Sequence, residues 1–96
     1  MGDKRYFVYI MTNKNNNVLY TGMTNNLVWR VYQHKNKLLK GFTNRYNCIR
    51  LVYYEIYNDP YSAITREKQI KAGSRRKKLE MNEKINPLWK DFSSEF

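Results

Sequence analysis

The chain is poor in cysteine, in histidine and in acidic residues, and each shortage excludes something. Cys48 is the single cysteine among 96 residues, so no intramolecular disulfide can form, which suits a reducing compartment. One cysteine and one histidine, His34, are too few ligands for a zinc site. No apolar run approaches the roughly 20 residues of a membrane span. The start, Met1-Gly2-Asp3-Lys4-Arg5-Tyr6, lacks the apolar stretch of a secretory leader, and it lacks the Ser or Thr at position 6 of a myristoylation site. These absences lead us to expect a cytoplasmic protein with no membrane partner.

The scarcest commodity is negative charge. Eighteen Lys and Arg face eight Asp and Glu, a net charge of +10. Between Lys4 and Tyr54 there are nine basic residues and no acid, and Arg66–Lys78 carries seven more around one acid, Glu67. Such an excess opposes compaction by self-repulsion. It suits a polyanion, because neutralised phosphates release their counterions, so the charge points to nucleic acid ahead of anionic lipid or an acidic protein.

With 42% hydrophobic residues and nine tyrosines, 96 residues should fold as one domain, spanning 1–96 with 87–96 as a tail. Arg5–Thr12 is apolar and β-forming on both faces, the pattern of a strand buried on both sides. Asn13–Asn17 reads as a turn, Val18–Gly22 as the returning strand of a hairpin, and Ile49–Tyr57 as a third strand. A first helix is predicted over Leu27–Lys35, capped by Asn25 or Asn26. A second is predicted from Asp59-Pro60 to Lys71, stopped by Gly73, and a third from Ser74 to Glu83, ended by Asn86-Pro87. Residues 41–48 have no assignment beyond a loop or minor helix. The sum is an α+β domain: a small three-stranded antiparallel sheet flanked by helices in β-β-α-β-α-α order. Trp89, Phe92 and Phe96 stand at helical spacing in the tail, as a cover for the core or a contact for a partner.

Three features suggest chemistry. Glu67 falls in the middle of the second helix's face with Ala63, Ile64 and Ile70, where a carboxylate needs a salt bridge or a divalent cation. On the first helix, Leu27, Val28, Val31 and Tyr32 make the apolar arc, with Arg30 and His34 one turn apart at its border. Arginine offers a fixed fork for phosphate, and histidine can bond a phosphate or move a proton. In the hairpin, Tyr9 and Tyr20 are expected opposite one another or one place apart. Gly22 is expected after the strand, letting the chain turn and a ligand approach closely.

Taken in order, these residues resemble the GIY-YIG nuclease superfamily, specifically its small standalone bacterial members related to the N-terminal cutting domain of the excision-repair nuclease. Phe7-Val8-Tyr9 stands for the first tripeptide and Tyr20-Thr21-Gly22 for the second. Arg30 follows eight residues after Gly22, then His34, then Glu67 within Ala63–Lys71, and the ending Asn86–Asp91. The match spans nearly the whole chain. It departs in three places: Phe7 replaces the first glycine, Met23 stands where some relatives have lysine, and Asn82 is the nearest candidate for the late asparagine of some members.

The resemblance implies hydrolysis of DNA phosphodiester bonds with one Mg²⁺ or Mn²⁺ held by Glu67, directed by DNA structure rather than sequence, in repair or recombination. Arg30 would neutralise the developing charge, and Tyr9 or Tyr20, acidified by nearby cations, would take the proton from water. His34 would orient a tyrosine or bond the phosphate. Lys68, Lys71, Arg75, Arg76, Lys77 and Lys78 would grip backbone phosphates, which position without specifying. The rival readings are a non-cleaving module for branched or single-stranded DNA or RNA, and an interaction protein meeting a partner or a second copy through its tail.

Overall fold

A computed structural model describes residues 4–96; Met1, Gly2 and Asp3, where the segment read for a leader begins, lie outside the described residues. Strands β1 (Tyr6–Thr12), β2 (Leu19–Thr24) and β3 (Arg50–Tyr57) form one antiparallel sheet in the order β2-β1-β3. The doubly apolar strand takes the centre, with Val8 to Thr12 buried. Asn16 turns the hairpin in the left-handed region (φ 58°), and Asn13 Oδ1 accepts from the backbone N–H groups of Asn17 and Val18 at 3.0 and 3.2 Å.

Each face of the sheet has its own core. Val8, Ile10, Val52, Tyr53, Ala63 and Ile70 pack on one side, and Tyr9, Met11, Leu27, Val31, Cys48 and Leu51 on the other. A bulge separates the two registers of β1 against β3: Ile10 faces Tyr53 and Met11 faces Leu51, leaving Val52 over. The side chain of Asn86 donates to the Val52 carbonyl at 3.0 Å, supplying a partner to that interrupted stretch.

Helix α1 (Leu27–Lys35) begins at Asn26, whose side chain accepts from the Trp29 N–H at 3.0 Å. It ends with Lys37 left-handed (φ 54°), Lys37 N donating to His34 O and Leu38 N to Gln33 O. The expected apolar arc is rotated: Leu27, Val31 and His34 are buried, whereas Val28 and Tyr32 are more than half exposed. The shift puts the histidine inside.

The unassigned segment 41–48 holds a single helical turn, α2 (Phe42–Arg45). Its end repeats the α1 solution, with Asn47 left-handed and Cys48 N bonded to Thr43 O.

Helix α3 (Pro60–Ala72) starts at Asp59, which accepts from Ser62 N at 2.8 Å. Ala63 and Ile70 are buried as expected, but Ile64 is exposed, so Glu67 borders the buried stripe rather than sitting inside it. Helix α4 (Arg75–Ile85) runs two residues beyond the expected end and is capped by Ser74.

The tail covers the core, but not as a helical stripe. Trp89 is left-handed (φ 54°) and packs on the α3 side, Phe92 opens a 3₁₀ turn (Phe92–Glu95) on the α1 side, and Phe96 is exposed. Asp91 fastens it, accepting from Leu51 N at 3.1 Å and from Lys35 Nζ at 2.6 Å. No helix among the described residues is long and apolar enough to cross a membrane.

Candidate active site

The site is built around Tyr9, in the central strand. Its β2 neighbour is Gly22, and Tyr20 faces Met11, so the two tyrosines lie two registers apart on one face rather than opposite or adjacent. Their rings meet diagonally, 6.3 Å between centroids. Gly22 lies within β2 and makes no turn. A Cβ at Gly22 would lie 2.5 Å from the Tyr9 hydroxyl oxygen and 2.6 Å from Cζ. Glycine is therefore required by the close approach of the phenol, which passes over the edge strand of the sheet.

Helix α1 supplies the partner. Tyr9 Oη and His34 Nε2 are 2.9 Å apart, and His34 Nδ1 is 3.0 Å from Thr43 Oγ1 in α2. Both nitrogens of this 3%-exposed ring are thus engaged. Burial, aided by the nearby Arg30 charge, holds the His34 pKa down to about 4, so the imidazole is neutral at physiological pH. Thr43 escaped the sequence reading because its segment has no periodicity to assign; a hydroxyl nine residues from the histidine is no signal by itself.

The tyrosine is not acidified. Burial, then the neighbouring Tyr20, push the Tyr9 phenol well above its ordinary range, and Arg30 offsets this only in part. Glu67 adds to the rise, which puts its carboxylate within electrostatic reach of the phenol although α3 packs on the other face of the sheet. Glu67 keeps a 20%-exposed side chain, with Lys71 Nζ at 3.4 Å on the same helix. Arg30 has its Nε buried without a hydrogen-bond partner among the described residues. A buried guanidinium N–H without an acceptor is costly, and here it adjoins the Tyr9 hydroxyl.

Of the basic residues read as phosphate contacts, Lys68, Lys71, Arg75, Arg76 and Lys77 are exposed and Lys78 is half-buried. Lys71 pairs with Glu67, and Arg76 with Glu80 at 3.2 Å. Met23 packs against the core on the α3 side, and Phe7 against the cluster around Tyr9, filling space beside the tyrosine. Asn82 is fully buried in α4, with both side-chain polar atoms lacking a hydrogen-bond partner among the described residues. Cys48 is buried, and burial raises its thiol to about 11, which leaves it protonated and unreactive.

A second polar cluster has a structural character. Glu55 accepts from Arg66 Nε and Nη2 at 3.0 and 3.1 Å, from Tyr57 Oη at 2.5 Å, and from Tyr53. Burial alone would raise this carboxyl; Arg66 and the two phenols together hold it below its usual value. The cluster ties β3 to α3, and Arg66 reaches on to Met81 of α4.

Comparison with known proteins gives the same ordering of residues a family. The model of the GIY-YIG catalytic domain matches residues 5–80. A UPF0213 protein of Clostridium perfringens is 37% identical over 75 residues, covering 78% of this chain and 80% of that one. Another, of Staphylococcus haemolyticus, is 37% identical over 79 residues, covering 82% and 95%. The solution NMR structure of a UPF0213 protein from Bacillus halodurans superposes with a TM-score of 0.59 at 25% identity, covering 91% of this chain and 92% of that one. The α+β architecture is shared with that structure, and the chain belongs to the GIY-YIG family, a family of nucleases.

Proposed function

We propose that the chain is an endonuclease that hydrolyses DNA phosphodiester bonds with one divalent ion, Mg²⁺ or Mn²⁺, at Glu67. The observation that carries the reading is the Tyr9–His34 hydrogen bond of 2.9 Å beside the Arg30 guanidinium, whose charge acts on the phenol and whose buried Nε has no hydrogen-bond partner among the described residues. Proton-transfer groups and an unfilled anion donor meet at one point.

The donor set fits a metal that keeps most of its water. Glu67 is a partly exposed carboxylate paired with Lys71, whose side chain is half-exposed. No cluster of three or more metal-ligating side chains exists among the described residues, so Glu67 would hold the ion with waters and substrate completing its shell. When bound, such an ion stabilises charge on the phosphate and makes its water more acidic.

The protein's own part follows from the geometry. Arg30 binds a non-bridging phosphate oxygen through its guanidinium and offsets the charge that develops during attack. The Tyr9 phenol stays protonated at neutral pH and cannot act as a standing phenolate. It relays instead. The attacking water gives a proton to Tyr9 Oη as the Tyr9 proton moves to His34 Nε2, while the leaving oxygen takes a proton from solvent. A neutral His34 with its proton on Nδ1 donates to Thr43 and keeps Nε2 as the acceptor for Tyr9. The bond to His34 thereby favours Tyr9 over Tyr20 as the proton-relay group, and His34 has no free nitrogen for phosphate. The remaining cations of α3 and α4 hold the backbone on either side. We infer a cytoplasmic setting and a substrate chosen by its shape, in repair or recombination.

The test is cleavage of labelled single-stranded, duplex, flap and four-way-junction DNA with Mg²⁺ or Mn²⁺, beside Glu67→Ala, Arg30→Ala and EDTA controls. Metal-dependent nicking lost in both variants is the expected result. Folded wild-type protein that binds these DNAs and cuts none, or Glu67→Ala protein that cuts at the wild-type rate, overturns the scheme.

A further inference from the structure

The aromatic contacts of the site do not stop at Tyr20. Tyr20 stacks on Phe42, with ring centroids 6.0 Å apart and planes 28° apart, and Phe42 meets Tyr46 at 4.7 Å. Arg45 lies over the Tyr46 ring, 5.6 Å from its centroid. A continuous pile of rings therefore runs from the buried pair Tyr9 and His34, through Tyr20, to the surface turn α2. Its outer end is open: Phe42 is 46% and Tyr46 41% exposed.

These outer rings line a cleft of about 580 Å³ together with Lys40, Gly41, Asn44 and Arg45. The charged residues that line it, Lys40 and Arg45, are both cationic. Gly41 adopts φ 112°, a backbone few side chains tolerate, and a Cβ there would meet nothing within 4 Å, so the main chain itself borders open space. Exposed rings are costly in water unless something covers them. The cover best matched to a cationic, aromatic, acid-free cleft is a nucleobase with its phosphate. Every base offers a π-face for stacking, and Arg45 and Lys40 stand ready for the phosphate.

We propose that this cleft holds an unpaired nucleobase of the DNA strand, stacked on Tyr46 and Phe42, next to the phosphate presented to Tyr9 and Arg30. The position beside a scissile phosphate rests on the nuclease reading; the stacking site itself does not. A base stacked within a duplex has both faces occupied, so the cleft selects strands with at least one base free: single strands, flaps, frayed ends. This gives a physical basis for choice by shape. It also explains why α2 is anchored so firmly despite its single turn, since Thr43 buttresses His34 while Phe42 and Tyr46 face outward.

The test uses the full chain in EDTA, where binding is read without cutting. A DNA oligomer carrying 2-aminopurine is titrated as a single strand and as a blunt duplex, with an RNA single strand of the same sequence in a third arm. Tyr46→Ala is chosen because Tyr46 touches neither Tyr20 nor His34. It is expected to weaken single-stranded DNA binding about tenfold and to abolish 2-aminopurine quenching, with duplex affinity changing less than about twofold. Tyr46→Phe is expected to keep wild-type binding, and so is Tyr61→Ala, which removes an 81%-exposed tyrosine elsewhere. Thermal melts establish that each variant is folded. Unchanged single-strand affinity in Tyr46→Ala, an equal loss on single strand and duplex, or a Tyr46 dependence confined to RNA would each overturn the proposal. Wild type that fails to cut with metal, yet shows the selective Tyr46 effect in EDTA, refutes the nuclease reading and leaves the stacking site standing.

Discussion

Replacing Gly22 by alanine adds one methyl group and should disable the site. That methyl would lie 2.5 Å from Tyr9 Oη, 2.6 Å from Cζ and 3.0 Å from Tyr20 Cε2, whereas carbon atoms rest about 3.5–4.0 Å apart. The phenol must move by roughly 1 Å. It has little room, because Tyr9 is completely buried and its hydroxyl is held by His34 at 2.9 Å. Overpacking of this kind costs about 1–3 kcal/mol, and losing the Tyr9–His34 bond about another 1 kcal/mol. A loss of roughly 2–4 kcal/mol lowers the melting midpoint of a domain this size by on the order of 10–25 °C, which leaves it folded in the cold. Activity falls further, because a 1 Å displacement of a reacting group can cost ~100-fold in rate. Circular dichroism melts and single-turnover cleavage well below both midpoints measure the two effects separately. The double variant Gly22→Ala/Tyr9→Leu removes the ring that clashes, so it should be less destabilised than the sum of the single variants by ~1–2 kcal/mol, and still inactive. A Gly22→Ala protein with wild-type midpoint and rate would refute the packing argument outright.

Three other perturbations test other parts of the reasoning. Because burial lowers the His34 pKa to about 4, the unfolded chain binds the extra proton first as the pH falls; stability is full above about 6.5 and lost between there and 4 at up to ~1.4 kcal/mol per unit. Urea titrations at several pH values should find this slope in the wild type and not in His34→Gln; a flat wild-type profile from pH 7.5 to 4.5 would contradict it. Asn82→Leu replaces a buried amide that lacks partners among the described residues by a hydrocarbon of similar volume, and should raise stability by about 1 kcal/mol in denaturant melts; a loss would mean that the amide has a partner of its own. Deleting 87–96 removes Trp89, Phe92 and the Asp91 clasp on Leu51 and Lys35, and should cost at least ~3 kcal/mol, seen as loss of the cooperative melt; a truncated chain that stays folded would revive the tail as a free contact surface.

The sequence was informative wherever local rules act alone. Asp59 and Ser74 cap the helices they were expected to cap, and Asn26 does so of the two candidates Asn25 and Asn26, because capping depends on one side chain and the backbone two or three residues on. It misled where phase depends on the far side of the core. Val28 and Tyr32 look apolar and are exposed, while His34 looks polar and is buried, since a hydrogen bond at each ring nitrogen offsets its desolvation. The same long-range dependence hid the two-register offset of Tyr9 and Tyr20. An asparagine-rich turn can be centred in several ways, and only the packed sheet selects one. Glu55 carries no signal of its own in the sequence, because Arg66, eleven positions later, meets it only after α3 docks.

The nine tyrosines illustrate the limit of composition. As a number they suggest base-stacking surfaces, yet several have other duties. Tyr53 and Tyr57 hold Glu55 through their hydroxyls, Tyr54 meets Phe92 edge-on, and Tyr9 is sealed in the site. Burial separates these duties: a ring enclosed on both faces can orient a carboxylate or move a proton, but it cannot accept a base. Among the rings joined to the site through Tyr20, Phe42 and Tyr46 alone combine exposure with a cationic cleft. In the mechanism we propose, Glu67, Arg30 and the Tyr9–His34 pair would act on any phosphodiester, because phosphate is the same at every nucleotide. Discrimination between DNA shapes must come from groups that sense whether a base is free, and the outer rings of α2 are the part of the aromatic pile built to do so.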